Sequence, residues 1–330
     1  MARVRLVDIA QKVGVSTKTV SNVVNGTGWV GENVRAQVLA AIDELGYRPN
    51  LAARQLRSGS SGLLGLCVPN LQEPYFAEFA SELVDAAQVR RLTVLVTQSK
   101  GDRAVELDML DGTSLPALDG LVFSPLAVTP DDVRSRRSTV PLVLIGEHGE
   151  TLASDTVCHV GPDNAAAAEH ATRYLLESGR RRIAAIGLQT HVADTAVRRF
   201  EGYRRALATA GVELDPDLLI EVERYNRAEG SQAIERLIAR GVPFDGVFCF
   251  TDTLAFGALH TLGMHGIAVP DDVMLVGYDN IDESRFTVPP LTTVDSGVSK
   301  ACSLILDVLA GTNEIPTDGR ITVPHELVVR

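Results

Sequence analysis

An alternation of short apolar runs with amphipathic stretches extends from Leu63 almost to the end of the chain. Four runs are rich in Val, Leu and Ile and bounded by Gly, Pro or Asp, which predicts buried strands: GLLGLCVP, LTVLVTQ, DGLVFSP and VPLVLIG. The alternation resumes after Asp163 with helix-like AAAAEHATRYLLESG and strand-like RIAAIG. Repeated βα units form parallel sheets with helices on both faces. The sequence therefore predicts an α/β body of doubly wound parallel sheets.

The alternation has two sets of units, near residues 62–161 and 163–290, which predicts two similar lobes. A last segment, from LTTVDS to RITVPHELVV, is expected to cross between them. We assign 61–161 and 292–319 to the first lobe, and 162–291 and 320–330 to the second. Because the carboxyl ends of the strands face each other in such folds, a small ligand is expected in the cleft between the lobes.

The first 57 residues follow a different pattern, with helical spacing and no strand. Helices are predicted over 6–13, 16–24 and 32–45, with Gly14 and Val15 as a turn and Ser16 as the cap of the second helix. A turn this short between two helices is typical of a helix-turn-helix. The stretch NLAARQLR, residues 50–57, predicts two further turns that would be unstable alone in water. The boundaries are therefore 1–49 for the head, 50–60 for a hinge and 61–330 for the body.

Charge is distributed unevenly between head and body. Residues 1–57 have eight Lys and Arg against four Asp and Glu, net +4, whereas the remainder has 23 against 38, net −15. A basic head attracts a polyanion and an acidic body repels it, so contact with nucleic acid is expected in the head alone.

The composition narrows the class of protein further. A chain of 330 residues with 45% hydrophobic residues should fold into globular domains. We find neither a signal-peptide core nor an apolar run of 18 residues, and therefore expect a cytoplasmic, nucleoid-associated protein. Four scattered cysteines without a CxxC pair predict buried thiols rather than a metal site or disulfides, and no cofactor is expected.

The run LVDIAQKVGVSTKTVSNVVNG, followed by VRAQVLAAIDELGYRPNLAARQLRSG, resembles the head and hinge of the LacI/GalR family of transcriptional regulators. The blocks RRFEGYRRAL, FDGVFCFTDTLAFGAL, IAVPDDVMLVGYDN and PPLTTV follow in the order of that family, so the resemblance spans nearly the whole chain. It implies a dimeric repressor with a periplasmic-binding-protein-like body, whose cleft binds a small effector.

The resemblance implies that the second helix lies in the major groove of DNA and reads bases with Thr17, Lys18 and Asn22. Ser16, Ser21 and Asn25 suit phosphate oxygens, although Ser16 and Asn25 can also be plain helix caps. Many relatives have Arg or His where this chain has Asn22. Because Asn prefers adenine, the preferred operator is expected to differ there. The full expected DNA-binding set is Arg5, Ser16, Thr17, Lys18, Thr19, Ser21, Asn22, Asn25, Asn50, Ala53, Arg54, Leu56 and Arg57.

In the hinge, Leu56 matches the apolar wedge with which the family enters the minor groove. Ala53 would face the dimer mate, and Arg54 and Arg57 would lie toward phosphate. The alternative is a flexible linker, which would favour Gly and Ser in this stretch.

In the body, Arg199 and Asp279 match positions where relatives hold polar groups of their effector. The alternative is a salt bridge that closes the lobes without a ligand. Phe76 either stacks on a ring or belongs to the core. Thr251 stands where relatives have Asn, Gly146 and Glu147 stand where they have Asp-Arg, and Ser296 replaces a common Gln. These departures argue against a plain hexose site. The expected effector-binding set is Phe76, Gly146, Arg199, Thr251, Asp279 and Ser296.

Two other classes of protein, an enzyme and a periplasmic sugar-binding protein, fit the sequence less well. An enzyme would need a catalytic motif, and neither a P-loop, a GxSxG elbow nor a GxGxxG motif is present. A periplasmic sugar-binding protein would share the two lobes but have an export signal and no helix-turn-helix. We therefore predict a regulator, more specifically a repressor, that binds a near-palindromic DNA operator. It is expected to act as a homodimer rather than a tetramer, since no leucine-heptad tail follows, and to respond to a sugar or sugar derivative.

Overall fold

The computed structural model describes residues 4–47, 60–113, 115–189 and 194–330, which form two compact units, Met1–Ser61 and Gly62–Arg330. The predicted hinge helix over 50–57 lies outside the described residues. Among the helices in the described ranges, none has the length and apolar character needed to cross a membrane.

The first unit contains three helices, α1 (Leu6–Val13), α2 (Thr17–Asn25) and α3 (Glu32–Leu45). Gly14 ends α1 with φ of 76°, a left-handed conformation that glycine adopts without steric cost, and so allows the tight turn into α2. The predicted helix boundaries agree with these to within a residue. Apolar side chains from all three helices form one small core: Ile9, Ala10, Val20, Val23, Val38 and Ala41.

The second unit contains two six-stranded sheets. The first sheet is entirely parallel and has the order β11-β5-β4-β3-β1-β2. Its strands are β1 (Leu63–Val68), β2 (Thr93–Gln98), β3 (Gly120–Phe123), β4 (Leu142–Leu144), β5 (Cys158–Pro162) and β11 (Arg320–Val323). The second sheet has the order β12-β10-β9-β8-β6-β7 and is parallel except for β12. Its strands are β6 (Ile183–Leu188), β7 (Leu219–Glu221), β8 (Gly246–Cys249), β9 (Met274–Asp279), β10 (Thr292–Asp295) and β12 (Glu326–Val328).

Helices follow most strands, as the βα alternation predicts. In the first lobe they are α4 (Pro74–Val89), α5 (Arg103–Asp111), α6 (Pro130–Ser135), α7 (Gly146–Thr151) and α12 (Val298–Leu309). In the second lobe they are α8 (Asn164–Glu177), α9 (Asp194–Thr209), α10 (Arg227–Ala239) and α11 (Asp252–Met264). Short 3-10 helices cover Pro216–Leu218 and Asp282–Arg285.

The chain passes between the lobes three times, after β5, after β10 and after β11. The crossing of the last segment agrees with the prediction, but the lobe boundaries within it were wrong. Strand β10 pairs with β9 and belongs to the second sheet, whereas β11 pairs with β5 and belongs to the first. The physical reason is that strand pairing depends on which neighbour lies alongside, and the apolar pattern of a strand does not record its neighbour.

Strand β2 also differs from expectation. It lies at the edge of the first sheet and is only partly covered, with Val96 36% exposed, so it is not a buried strand. Cys67, Cys158, Cys249 and Cys302 are all buried free thiols, as predicted, and burial raises the pKa of Cys67 and Cys158 to about 11.

Candidate functional site

Helix α2 of the first unit begins at a well-formed cap. The Ser16 hydroxyl oxygen accepts a hydrogen bond of 3.0 Å from the Thr19 backbone amide, and the two hydroxyl oxygens lie 2.9 Å apart. Val20 and Val23 face the small core, which fixes the orientation of the helix. The side chains of Thr17 and Lys18 are therefore left exposed at the amino-terminal end of α2. Both predicted roles of Ser16 remain compatible with this geometry, since its hydroxyl is exposed and also caps the helix.

The other predicted residues of the head are less open. Ser21 and Asn22 are half-buried, and the Asn22 amide rests against Gly28, where a Cβ would lie 2.9 Å from its Nδ2. Arg5 lies at the start of α1, where its backbone amide donates to Asp8 Oδ2 at 2.7 Å. Asn25 is the last residue of α2. The remaining predicted residues lie outside the described ranges: Asn50, Ala53, Arg54, Leu56 and Arg57.

Trp29, in the loop between α2 and α3, was missed by the sequence reasoning. It is the one tryptophan of the chain, and it is 92% exposed. A large aromatic side chain this exposed, next to a loop against which Asn22 packs, is a candidate contact residue. The available signal was its position in a Gly-rich turn, GTGWVG, where a core residue is not expected.

A cleft of about 540 Å³ lies between the two sheets of the second unit, where the carboxyl ends of their strands meet. Its size suits a ligand of one or two rings. All six residues predicted for the effector lie along this cleft: Phe76, Gly146, Arg199, Thr251, Asp279 and Ser296. They come from both lobes and from a crossover.

Arg199, on α9, is the centre of a buried polar network. Its Nη1 donates to the Phe250 carbonyl oxygen and lies 3.9 Å from Asp279 Oδ1, and both side chains are less than 10% exposed. Its guanidinium carbon lies 3.7 Å from the centre of the Tyr278 ring. Asn164 Oδ1 accepts from Arg199 Nε at 3.3 Å and from the Tyr278 hydroxyl at 2.6 Å. The network therefore holds the guanidinium in one orientation before any ligand binds.

Asp279 is the last residue of β9 and has φ of 116°, outside the regions that non-glycine residues favour. Such conformations cost about 1 to 3 kcal/mol and cluster at binding sites. Arg199 and Asp279 both belong to the second lobe, so the interpretation as a salt bridge that closes the two lobes was wrong. The pair instead compensates a strained residue within one lobe, which is compatible with a ligand-binding role.

Two hydroxyl groups of the cleft differ in what they can still bind. Thr251 caps α11, because its Oγ1 accepts from the Leu254 amide at 3.2 Å, so it can offer a ligand mainly its proton. Ser296 is 4% exposed, and its hydroxyl has no hydrogen-bond partner among the described residues. A buried hydroxyl without a partner is costly, and a polar ligand atom would satisfy it.

Gly146 and Phe76 shape the wall that the first lobe contributes. Gly146 has φ of 74°, a Cβ there would lie 2.9 Å from Ser124 Oγ, and its carbonyl oxygen lies 2.9 Å from His159 Nε2. Phe76 packs edge to face on Tyr75 at 5.2 Å and also against the core of the first lobe. Both interpretations of Phe76 therefore apply, since it lines the cleft and extends the core.

The sequence reasoning missed most of the polar residues that line the cleft, among them Glu73, His159, Asn164 and Tyr278. Glu73 precedes α4, and burial raises its pKa to about 7, while a hydrogen bond from Asn70 opposes the rise. Tyr278 directly precedes Asp279 in the block IAVPDDVMLVGYDN, so the family block that indicated Asp279 could also have indicated Tyr278. No group of three His, Cys, Asp or Glu that could hold a metal ion occurs in the described part of the chain.

Comparison with known proteins agrees with both units. Residues 5–50 match the model of the bacterial regulatory proteins of the lacI family, and residues 172–330 match that of the periplasmic binding protein-like domain. The transcriptional repressor PurR of Histophilus somni is 30% identical over 98% of this chain and 97% of its own.

Two solved structures extend the likeness. A transcriptional regulator of the LacI family from Sanguibacter keddieii is 39% identical, with a TM-score of 0.72 over 82% of this chain and 97% of that one. The transcriptional regulator CelR in complex with cellobiose is 29% identical, with a TM-score of 0.69 over 99% of each chain. These relatives are regulators and not enzymes, and an exported binding protein would not include the first unit. The chain belongs to the LacI family and is a DNA-binding transcriptional regulator with an effector-binding body.

Proposed function

We propose that this protein is a cytoplasmic repressor that binds a near-palindromic operator as a homodimer and changes its DNA affinity when a sugar or sugar derivative occupies the cleft. The observation that carries the proposal is the combination, in one chain, of a capped helix with an exposed amino-terminal end and a cleft with a preorganised polar network. The first suits DNA and the second suits a small polar ligand.

On DNA, Thr17 and Lys18 contact base edges, because they are exposed at the end of α2 that enters the major groove in helix-turn-helix proteins. Asn22 lies one turn further along α2 and prefers adenine. Ser16 and Ser21 bind phosphate oxygens, together with Arg5, Thr19 and Asn25. The hinge residues Asn50, Ala53, Arg54, Leu56 and Arg57 act at the operator centre, with Leu56 as the wedge.

The homodimer is supported by apolar side chains left exposed on both lobes. Val84 on α4 and Val96 on the edge strand β2 are exposed by 39% and 36%, and Phe286 and Val288 of the second lobe by 76% and 95%. The Asp282 amide donates to Glu78 Oε1 on α4 at 2.8 Å, so the 3-10 helix that precedes Phe286 lies against the helix that contains Val84. An exposed apolar surface of this kind is typical of a subunit interface.

In the cleft, the Arg199 guanidinium and the Asp279 carboxylate orient ligand hydroxyls, and Thr251 and Ser296 add hydroxyl groups. Phe76 presents an aromatic ring, and Gly146 leaves room beside it. A sugar is supported by the abundance of donors and acceptors and by the cellobiose bound to the related CelR. The ligand acts because it favours one arrangement of the two lobes, and thereby one spacing of the paired hinges.

The test is selection of genomic fragments by the purified full-length protein, with and without a metabolite extract, followed by affinity measurements on the selected site. We expect one palindromic motif, bound more weakly as salt rises, and an effect of the extract. Lys18→Ala should weaken the selected site by about 1 to 3 kcal/mol, whereas Lys300→Ala in the body should not. Enrichment of no motif in either condition would contradict the proposal.

The hinge assignment has its own measurement. Leu56→Ala should weaken binding to the selected operator much more than binding to scrambled DNA, because the wedge acts at the operator centre. Equal losses on both DNAs would show that Leu56 is not a wedge.

A further inference from the structure

Glu73 differs from the other charged groups that line the cleft. Inside the cleft Arg199 and Asp279 form a pair, whereas Lys100, Glu223 and Arg224 are exposed at its rim. Glu73 is half-buried, and among the residues that the structure describes no basic side chain lies close enough to lower its pKa. The interior of the cleft therefore contains one carboxyl group without a cation.

The local structure explains why Glu73 remains available. It occupies the position before α4, but its side chain makes no capping hydrogen bond, and Pro74 begins the helix. The Asn70 side-chain oxygen accepts from the Gln72 amide at 3.0 Å, which leaves the Asn70 amide nitrogen as the donor to the Glu73 carboxyl. One side-chain donor leaves most of the four lone-pair sites of a carboxylate unused.

The surroundings favour a cation over a neutral hydroxyl. A half-buried carboxylate without a counter-charge is costly, and a neutral ligand that excludes water would raise that cost. A protonated amine would instead supply the missing charge and three donors. Tyr75 and Phe76 line the same wall directly after Pro74, and aromatic faces attract cations.

We propose that Glu73 is a specificity-determining residue of the cleft and selects a ligand with a protonated amine, of the amino-sugar class, over the corresponding neutral sugar. This inference rests on the proposed function of the cleft as the effector site. Binding converts the Glu73 carboxylic acid into a carboxylate paired with the ligand ammonium, and the released proton goes to the buffer.

Proton release sets the pH dependence. Because burial raises the pKa of Glu73 to about 7, the empty protein is largely protonated there at pH 6. Release of one proton per ligand makes the affinity for the amine rise about tenfold between pH 5 and 6, and about fivefold between pH 6 and 7 as Glu73 approaches its pKa. Other charged or titratable groups also line the cleft, and they contribute equally to the pH dependence of ligand affinity in the wild type and in a Glu73 variant. These groups are Lys100, His148, His159, Arg199, Glu223, Arg224 and Asp279.

The test uses the full-length protein and matched pairs of sugars: D-glucosamine with D-glucose, D-galactosamine with D-galactose, and D-mannosamine with D-mannose. We expect at least one amine to raise the melting midpoint more than its neutral partner. Calorimetry of that amine at pH 6, in phosphate and in imidazole buffer, should show release of close to one proton per ligand.

Variants assign the effect to Glu73. Glu73→Gln, which resembles the protonated acid in shape, should lose at least tenfold in affinity for the amine and abolish proton release. Glu73→Asp should retain part of both, and Glu82→Gln, at an exposed carboxyl of α4 that does not line the cleft, should change neither. Operator affinity without ligand should be the same for Glu73→Gln and the wild type, which shows that the variant is folded.

Three results would overturn the inference: no amine of the panel raises the midpoint, the neutral sugar binds as tightly as its amine, or Glu73→Gln binds the amine normally. If a neutral sugar then alters operator affinity, the proposed function stands and only the role of Glu73 fails. If no ligand alters operator affinity, the effector function of the cleft fails as well.

Discussion

The two lobes of the body share the βα alternation but differ in how closely their helices pack. In the second lobe, a Cβ at Gly202, Gly230 or Gly257 would overlap a backbone carbonyl oxygen of the neighbouring helix. In the first lobe, a Cβ at Gly65 or Gly120 would meet the ends of leucine side chains at 2.7 to 3.2 Å. Leucine ends can move and backbones cannot, so the helix pairs α8–α9 and α10–α11 of the second lobe tolerate no larger residue at these glycines. In the first lobe a comparable backbone approach occurs in the turn before β11, where a Cβ at Gly319 would overlap the Ser154 backbone.

The charged groups inside the cleft also differ between the lobes. The Arg199 network in the second lobe is complete without a ligand, whereas Glu73 in the first lobe has one side-chain partner. The comparison indicates that the second lobe provides a preformed half-site, and the first lobe adds the groups that distinguish ligands. Four predictions follow the comparison from the largest expected effect to the smallest.

Arg199→Met should remove the preformed half-site. It retains the apolar stem but leaves Asp279 without its buried cation, and breaking such a pair costs about 3 to 5 kcal/mol. Urea unfolding followed by circular dichroism measures the loss, because Trp29 fluorescence reports on the head alone. Arg198→Met, at the neighbouring exposed arginine, should cost less than about 1 kcal/mol. Equal losses would show that the network does not stabilise the second lobe.

Asp252 should make the second lobe pH-dependent. It is fully buried, accepts from Thr293 Oγ1 at 2.5 Å and from the Ile281 amide at 3.0 Å, and burial raises its pKa to about 7. Between pH 4 and 7 the folded state then binds more protons than the unfolded state, so stability falls as the pH rises. The free energy of unfolding, relative to Asp252→Asn, should fall by on the order of 1 kcal/mol per pH unit.

The control for this series is Asp271→Asn, which removes an exposed carboxyl of the same lobe. A constant difference between the wild type and Asp252→Asn across this range would contradict the assigned pKa. The first lobe has a contrasting buried carboxyl, Glu106, which accepts from three consecutive backbone amides, at residues 126–128, and from the Ser99 hydroxyl.

Gly257→Ala should loosen the packing of α10 against α11, because its Cβ would overlap the Arg227 carbonyl oxygen. We expect a loss of about 1 to 3 kcal/mol in urea unfolding. Gly263→Ala, in the same helix with open space around it, should instead gain about 0.5 to 1 kcal/mol. An equal loss at Gly263, where helix propensity favours Ala and nothing lies within 4 Å, would show that the loss at Gly257 does not come from the close approach to Arg227.

Glu150→Gln should have the smallest effect, on the contact between the lobes. Its carboxylate lies 3.4 Å from Arg198 of the second lobe and 3.2 Å from Arg320 of the first. These pairs are partly exposed, so the expected loss is below about 1 kcal/mol and should vanish in high salt. Glu177→Gln is the control, because it removes an ion pair with Arg173 that lies within α8. Comparing the two variants tests whether an ion pair that joins the lobes contributes more to stability than one within a helix. Equal losses would show that it does not.

Many features of this structure follow from local patterns in the sequence. The helices of the head end at Gly14, Gly26 and Gly46, all left-handed, and α2 begins at Ser16. Capping and left-handed ends depend on residues only a few positions apart, so the sequence specifies them directly. The six residues along the cleft were also predictable, since their blocks resemble those of a known family.

Other features depend on residues far apart in the chain. No local pattern indicates that β2 lies at an edge, or that Glu73 lacks a cation and Ser296 a hydrogen-bond partner within the described part of the chain. Each of these follows from which strand or helix packs alongside, and the same pattern of apolar residues suits several neighbours.

The sequence alone thus determined the two kinds of unit, the helix-turn-helix and six of the residues that line the cleft, because periodicity, caps and family blocks are local. Tertiary structure decided the lobe to which β10 and β11 belong, the pairing of Arg199 with Asp279 and the isolation of Glu73. Burial and electrostatic environment are sums over distant neighbours, which come together only when the two sheets form.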